Sequence, residues 1–215
     1  MKGLKTRSAI LERAADLASG EGLEGLTIGR LADELQMSKS GLFAHFGSKE
    51  ELQLATIEIA RQRFLAEVFQ PALDAERGYP RLVAICRSWL DYIARNVFSG
   101  GCFFAAASFE FDSRTGPVRD AIQKSMDEWV GAIEKAVRFA IDEGHFGDDV
   151  DPAQIAFEIN AMFFGANYAY NMRHDKKAIS RAWRAIENRL ESLRQAPRPA
   201  RFARPEKRIA RRRAS

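Results

Sequence analysis

Apolar residues recur every three or four positions along most of the chain, which is the spacing of amphipathic helices. The pattern predicts six long helices, over residues 4–19, 52–69, 82–93, 117–144, 152–172 and 176–195. Pro117 and Pro152 stand at the starts of two of them, where a first helical turn accepts proline. No segment alternates with the period of two that marks a strand, so we predict an all-α fold of about nine helices.

Two shorter helices are predicted between residues 27 and 46. Thr27 can cap the first one, and the apolar positions of that helix fall on one stripe, at Ile28, Leu31, Ala32 and Leu35. After a turn at residues 36 and 37, Ser38 offers a second N-cap hydroxyl, and Leu42 and Phe46 are the inward anchors. Two short helices joined by about three residues indicate a helix-turn-helix.

A third helix start follows at once. Gly47 ends the second short helix, and Ser48-Lys49-Glu50-Glu51 matches a capping box, in which a Ser hydroxyl and a Glu carboxylate satisfy backbone donors reciprocally. In a helix-turn-helix the second helix enters the major groove of DNA with its N-terminal residues at the base edges. An antiparallel helical hairpin with no DNA role is the alternative, because short amphipathic helices with Ser caps are common.

The run from Leu26 to Leu52 resembles the DNA-binding domain of the tetracycline-repressor (TetR) family. The matching positions are Leu26-Thr27-Ile28, Leu31-Ala32, Ser38, Leu42-Phe43, His45-Phe46, Lys49-Glu50 and Leu52. The resemblance implies a homodimer that binds DNA through this domain and a small molecule through a larger helical domain. We therefore expect a DNA-binding domain over 1–47, an effector-binding and dimerisation domain over 48–195 with a connecting helix over 48–70, and a basic tail over 196–215.

The resemblance also implies which residues contact DNA. It assigns phosphate contacts to Thr27, Phe43, His45 and Lys49, and base readout to Lys39, Ser40 and Gly41, beside the N-cap Ser38. Two positions depart from the family pattern. Gly29 has no side chain that could reach a base, and Phe43 lacks the hydroxyl of the commoner Tyr, so its polar contact to the backbone is lost.

Composition restricts the class of protein. The chain has 215 residues, of which 46% are hydrophobic and 29% charged, as in ordinary globular proteins. No apolar run reaches the length of a membrane span, and the N-terminus lacks the apolar segment of a signal peptide. We therefore expect a cytoplasmic protein. Cys86 and Cys102, the only cysteines, fit a reducing compartment and are interpreted as small buried hydrophobes, with a redox-sensing pair as the alternative.

The net charge of +4 is unevenly distributed. Residues 196–215 hold eight of the 33 basic residues and one of the 29 acidic ones, which leaves residues 1–195 with a net charge of −3. The tail, which also contains three prolines, is predicted to be disordered and solvated. It is either a solubilising terminus or a sequence-independent contact to phosphates.

Two stripes in the last two helices predict a homodimer interface. Ile179, Trp183, Ile186 and Leu190 recur at steps of four, three and four, while Ala161 and Gly165 form a small-residue strip that permits close backbone approach. A dimer would hold two recognition helices about 34–36 Å apart, as a palindromic double-stranded DNA operator requires. The alternative is that both stripes pack within one subunit.

Large and polarisable side chains concentrate in the central helices, and we predict that they contact an effector. The residues are Cys86, Trp89, Phe104, Phe109, Met126, Trp129, Phe163, Asn167 and Tyr168. Aromatic stripes at helical spacing also simply fill a core, which is the alternative. Asn160 and Asn167 lie seven apart on one apolar face, where buried amides need partners. A largely apolar cavity for a hydrophobic or aromatic small molecule is therefore expected.

These expectations combine in a repressor that leaves its operator when an effector shifts the connecting helix. A helical enzyme is a rival interpretation, but the three histidines are far apart, and neither a metal-ligand spacing nor a nucleophile motif is present. We therefore predict no enzymatic activity, no cofactor and no metal site. A protein-binding adaptor is the other rival, and binding to a palindromic duplex separates the regulator from both.

Overall fold

A computed structural model describes the backbone of residues 2–194 and the side chains of residues 6–194. The predicted tail over 196–215 lies outside these residues. Between residues 2 and 194 no helix combines the length and the apolar character needed to cross a bilayer.

The all-α prediction is confirmed, with nine α-helices in the part of the chain that is described. They are α1 (Lys2–Glu21), α2 (Ile28–Leu35), α3 (Lys39–Phe46), α4 (Lys49–Phe64), α5 (Tyr79–Ala94), α6 (Phe103–Phe111), α7 (Pro117–Asp142), α8 (Pro152–Asn171) and α9 (Ala178–Glu191). Pro117 and Pro152 are the first residues of α7 and α8, as their lack of a backbone N–H favours.

Helices α1 to α3 share a small apolar core. Leu11 of α1, Leu31 of α2 and Leu42 and Phe46 of α3 are all at most 3% exposed. Helix α4 packs along α1, and Arg63 of α4 forms ion pairs with Glu12 and Asp16 of α1. The short helices are therefore held by a few large side chains and by the long helix that follows them.

The remaining helices enclose an aromatic core. Helix α8 packs against both α7 and α9, while α5 packs against α7 and α9. Trp89 of α5 stacks on Phe163 of α8 with ring centroids 4.2 Å apart, and Trp129 of α7 lies 5.7 Å from Phe163. Aromatic pairs in such offset or tilted arrangements stabilise a core beyond the area they bury.

The connecting helix differs from the prediction in its last turn. We expected one regular helix to Phe69, but α4 ends at Phe64 and the chain continues as a π-helical turn over Leu65–Phe69 and a 3₁₀ turn over Gln70–Ala72. The Gln70 N–H donates to the Leu65 carbonyl, five residues back. Pi-turns of this kind are frequent at functional sites, and Leu65 and Phe69 of this one line a cavity between α4 to α8.

Candidate nucleic-acid interface and effector cavity

The predicted caps form the helix-turn-helix. The Thr27 hydroxyl accepts a hydrogen bond from the Arg30 N–H at 3.0 Å, and the Ser38 hydroxyl accepts one from the Gly41 N–H at 3.2 Å. Between the helices Gln36 adopts a left-handed conformation with φ of 52°, which reverses the chain tightly. Each cap satisfies a backbone donor that the helix itself leaves unpaired, so both short helices have defined starts.

The third cap is only half of the predicted capping box. The Ser48 hydroxyl accepts from the Glu51 N–H at 3.1 Å, as expected. The Ser48 N–H, however, donates to the Phe46 carbonyl at 2.6 Å. The tight turn at Gly47, with φ of 68°, brings that carbonyl within reach, so the Glu51 side chain is not needed as its acceptor.

Helix α3 presents its N-terminal end and one long face to the outside. Leu42 and Phe46 point into the core, whereas Ser38, Lys39, Ser40 and Phe43 are exposed, Phe43 to 57%. Gly41 is half-buried and carries no side chain that could hold the helix away from a partner. The helix therefore has the polar, accessible end that groove binding requires.

Three further predicted DNA-contacting residues flank this face. Thr27 is exposed, and its hydroxyl proton is available for donation because the oxygen is the cap acceptor. His45 is half-buried beside the Phe46 ring. Lys49 begins α4, but its ammonium forms an ion pair with Glu24 at 2.8 Å. That hydrogen bond is the main reason why the pKa of Glu24 lies below its usual range.

The side chain of Lys39 lies beside Gly29. Its ammonium end is 3.7 Å from the place where a Cβ of residue 29 would stand, which is an ordinary van der Waals distance, so the space would accept an alanine. The Lys39 side chain of α3 thus lies across the start of α2.

A cavity of about 190 Å³ lies between α4 to α8. Five predicted effector-contacting residues line it, namely Trp89, Phe104, Met126, Trp129 and Phe163. Asn160, which the sequence analysis named with Asn167, also lines it. Residues that were not predicted complete the lining, namely Arg61, Phe64, Leu65, Phe69, Cys102, Ala105, Ser125, Glu128, Ala132 and Phe164. The walls are largely aromatic, and Arg61 and Glu128, 3.6 Å apart, supply the charged groups.

Four of the predicted effector-contacting residues do not line this cavity. Cys86 is wholly buried in the core, while Phe109 and Tyr168 are 69% and 58% exposed on the outer surface. The Asn167 side chain accepts a hydrogen bond from the Cys102 N–H at 3.0 Å, so it anchors the start of α6. Periodicity identified the apolar helices but could not show which side of each helix faces the cavity.

Of the two amides named in the sequence analysis, Asn160 lines the cavity and Asn167 does not. The Asn160 amide oxygen accepts from the Trp129 indole N–H at 3.1 Å, so part of its hydrogen-bonding capacity is already used within the protein. Phe64 and Phe69 were missed because their spacing of five does not fit an α-helical stripe. The π-turn brings the two rings together, with centroids 6.1 Å apart.

The two cysteines are buried thiols in this structure. Burial raises the pKa of Cys86 to about 12 and that of Cys102 to about 11, because a thiolate loses its hydration there. Both thiols are protonated at neutral pH, and a protonated thiol is a poor nucleophile. This favours the interpretation of both as small buried hydrophobes.

The outer face of α8 carries an apolar stripe. Ala161 and Gly165 are exposed on it, and they lie among Phe157, Tyr168 and Met172, which are 58–72% exposed. On α9, Ile179 and Trp183 are partly exposed, and the Arg87 guanidinium lies 3.8 Å from the Trp183 ring centroid.

Two of the predicted interface residues are buried within the subunit. Ile186 and Leu190 have no exposed surface, because the side of α9 that carries them packs inside the subunit. They cannot contact a second copy in this conformation. The alternative of packing within one subunit therefore applies to this half of the α9 stripe.

Comparison with known proteins supplies the remaining evidence on family. Residues 10–56 match the model described as bacterial regulatory proteins of the tetR family, and residues 78–186 match the tetracyclin repressor-like C-terminal domain. The chain is 25% identical over 197 residues to the HTH-type transcriptional regulator TcmR of Streptomyces glaucescens, covering 88% of this chain and 83% of TcmR.

Solved structures agree with these matches in fold. A TetR transcriptional regulator from Chloroflexus aurantiacus superposes with a TM-score of 0.84 at 24% identity, covering 91% of this chain and 99% of that one. AibR in complex with isovaleryl coenzyme A and operator DNA gives a TM-score of 0.65 at 25% identity, covering 87% of this chain and 97% of AibR. The tetR-family match contains the exposed helix α3 and the C-terminal match follows it in the chain, so the chain belongs to the TetR family of DNA-binding transcriptional regulators.

Proposed function

We propose that the protein is a homodimeric repressor, released from a palindromic operator by a small hydrophobic or aromatic molecule. The observation that carries this proposal is the exposed, Ser38-capped start of α3, with two buried anchors behind it and an apolar cavity elsewhere in the same chain. The cap fixes the helix start and the anchors fix its rotation, so Lys39 and Ser40 have a defined direction.

The DNA contacts divide into two sets by position on this surface. Lys39, Ser40 and Gly41 would reach base edges in the major groove, because they form the first turn of the recognition helix. Thr27, Ser38, Phe43, His45 and Lys49 would surround them and face the sugar-phosphate backbone. Phe43 can only pack there, and Lys49 must exchange its ion pair with Glu24 for one with a phosphate.

The apolar stripe on α8 supports the homodimer. Phe157, Ala161, Gly165, Tyr168 and Met172 follow one line along the helix, at steps of four, four, three and four. Exposed apolar residues that align in this way mark an interaction surface. The small residues at its centre would let two copies of α8 approach closely, with Ile179 and Trp183 of α9 beside them.

The cavity supports a ligand with one or two rings. A cavity of about 150 Å³ with apolar walls is known to hold benzene in another protein, so about 190 Å³ suits a molecule of slightly larger size. Aromatic walls provide stacking surfaces. The AibR complex, with a ligand and operator DNA on one protein, supports the same pair of binding functions here.

The test begins by selecting duplexes from a random pool with the full chain. The proposal predicts an inverted repeat whose half-sites lie about one helical turn apart. Lys49→Ala should then weaken binding by a similar factor on every duplex and reduce the salt dependence, because Lys49 would contact phosphate.

Lys39→Ala is the matched comparison, since it removes the same charge from a residue that would contact base edges. It should weaken binding and also relax the base preference within the half-site, at a cost of about 1–3 kcal/mol on the preferred duplex. Recovery of unrelated sequences by the wild-type chain, or identical losses for both variants on all duplexes, would contradict the proposed recognition.

A further inference from the structure

Glu110, one residue before the end of α6, reaches the turn between α1 and α2. Its two carboxylate oxygens accept hydrogen bonds from the Leu23 N–H at 2.7 Å and the Glu24 N–H at 2.9 Å. Gly22 permits this approach, since a Cβ there would lie 2.8 Å from a Glu110 oxygen and its φ of +89° suits glycine. A carboxylate that accepts from two backbone donors forms charge-assisted bonds, about twice as strong as neutral ones.

The same turn is held through the Glu24 carboxylate. Lys49 of α4 pairs with it at 2.8 Å, and Arg114, just after α6, pairs with it at 3.3 Å. Arg114 also donates to the Glu110 carbonyl at 3.1 Å. We call Glu24, Lys49, Glu110 and Arg114 the joint. It connects the end of α6 to a lysine that the proposed function assigns to DNA.

Helix α6 lies between this joint and the cavity. Phe104 and Ala105 line the cavity, and hydrogen bonding of the Cys102 N–H to Asn167 of α8 fixes the start of the helix. Glu110 follows Ala105 by five residues, which places the two side chains about 140° apart around the helix. A molecule that presses on Ala105 therefore pushes α6 towards the turn that Glu110 holds.

We propose that Glu110 is the positioning residue through which occupation of the cavity changes the DNA-binding surface. This inference rests on the proposed function, in which an effector lowers DNA affinity. Leu23 and Leu26 are each 1% exposed in the core of the helix-turn-helix, so a shift of the turn moves that unit as a body. The same shift changes the distance between Arg114 and Glu24, and with it the availability of Lys49.

The test replaces the unidentified effector by a side chain built into the cavity. Ala105→Phe fills part of the space from α6, and Ala132→Phe fills it from α7, in case the first variant folds poorly. Glu110→Gln keeps the shape of residue 110 but removes its charge and one of its two acceptors. Asp112→Asn, two residues further on, is the control for removing a negative charge at the end of α6. Affinity for a duplex selected by the wild-type chain is measured in each background.

In the wild-type and Asp112→Asn backgrounds, we expect the filling substitution to weaken DNA binding by about tenfold or more. In the Glu110→Gln background we expect it to weaken binding by less than about threefold, because the displacement no longer reaches the turn. Equal losses in all three backgrounds would overturn the role of Glu110 and leave the proposed release intact. No loss in any background, with both filled variants folded, would overturn the coupling and the proposed release together.

Backbone exchange gives a readout that does not involve DNA. The amide protons of Leu23 and Glu24 should exchange about tenfold faster in Glu110→Gln than in Asp112→Asn, measured by nuclear magnetic resonance on the full chain. Unchanged exchange at both amides would show that the carboxylate does not hold the turn in solution, and it would overturn the inference.

Discussion

Helix α3 and the cavity between α4 to α8 are built in different ways. Helix α3 has eight residues, two buried anchors, and a cap from the residue directly before it. The cavity walls come from α4 to α8 and from residues as far apart in sequence as Arg61 and Phe164. The exposed side chains of α3 contribute little to the core, whereas most cavity residues are also core residues.

Under the proposed function, DNA specificity and ligand specificity would therefore depend on residues that contribute differently to stability. Substitutions on the exposed face of α3 would change the DNA sequence that the protein recognises without removing buried contacts. Substitutions in the cavity would change the ligand preference and the packing of the core together, because the interior is closely packed. The effects of the following substitutions should therefore differ in size according to the region that they alter.

The largest effect is expected in the cavity wall. Trp129→Ala removes a side chain that is 6% exposed and contacts the rings of Phe64, Phe69 and Phe163. It should lower the free energy of unfolding by about 3–5 kcal/mol in denaturant titrations. Trp129→Phe keeps a ring and loses the bond to Asn160, so it should cost roughly 1–3 kcal/mol. Equal costs for the two variants would mean that the ring contacts contribute little.

A smaller effect is expected at the α8 stripe, which would hold two recognition helices together. A Cβ at Gly165 meets nothing within 4 Å in the subunit, so Gly165→Arg should fold but separate the dimer. Loss of the second half-site should weaken operator binding by about 100-fold or more. Gly131→Arg on α7, equally open, is the control and should remain dimeric by sedimentation. A dimeric Gly165→Arg protein would place the interface elsewhere.

The cap of α3 should matter less for stability. Ser38→Ala removes the acceptor for the Gly41 N–H and should cost about 1 kcal/mol, whereas Ser38→Gly should cost only a few tenths. Circular dichroism melting measures both costs, and operator affinity should follow the same order. Equal losses of operator affinity for the two variants, despite their different stabilities, would indicate that the hydroxyl serves DNA contact more than the helix start.

The smallest effect on function is expected for the thiols. With the pKa of Cys102 raised to about 11 and that of Cys86 to about 12, a disulfide reagent at pH 8 should label the native chain about 100-fold more slowly than a free thiol. As the pH rises above about 9, the thiols of the unfolded chain ionise before those of the folded chain. The stability that the two buried, protonated thiols give the folded state is therefore fully present below that pH and is lost towards pH 11 to 12. Rapid labelling of the native protein would favour the redox-sensing alternative.

The sequence was sufficient for features that depend on neighbouring residues. The caps at Thr27, Ser38 and Ser48, the prolines that begin α7 and α8, and the inward anchors of α3 were all predicted from spacing. Each depends on interactions within about four residues, and the backbone donors that caps satisfy occur at every helix start. The all-α fold follows from the same kind of periodicity.

Features that depend on how helices are oriented were not predictable in this way. Asn160 and Asn167 share an apolar helix and a residue type, yet one lines the cavity and the other anchors α6. Ile186 and Leu190 continue the stripe of Ile179 and Trp183 but are fully buried. Periodicity gives the apolar face of a helix, and only the packed neighbours determine which part of that face is covered.

The π-turn over Leu65–Phe69 has a consequence for how new ligand preferences could arise. Because its hydrogen bonds span five residues, the segment holds one residue more than a regular turn would. Removing Leu65, which lines the cavity, would convert the segment to ordinary helix in which Phe64 and Phe69 stand four positions apart and stay on one face, and no loop would change length. Under the proposed function, a one-codon deletion inside a helix would thus change which compounds the protein binds, while the DNA sequence that it recognises stayed the same.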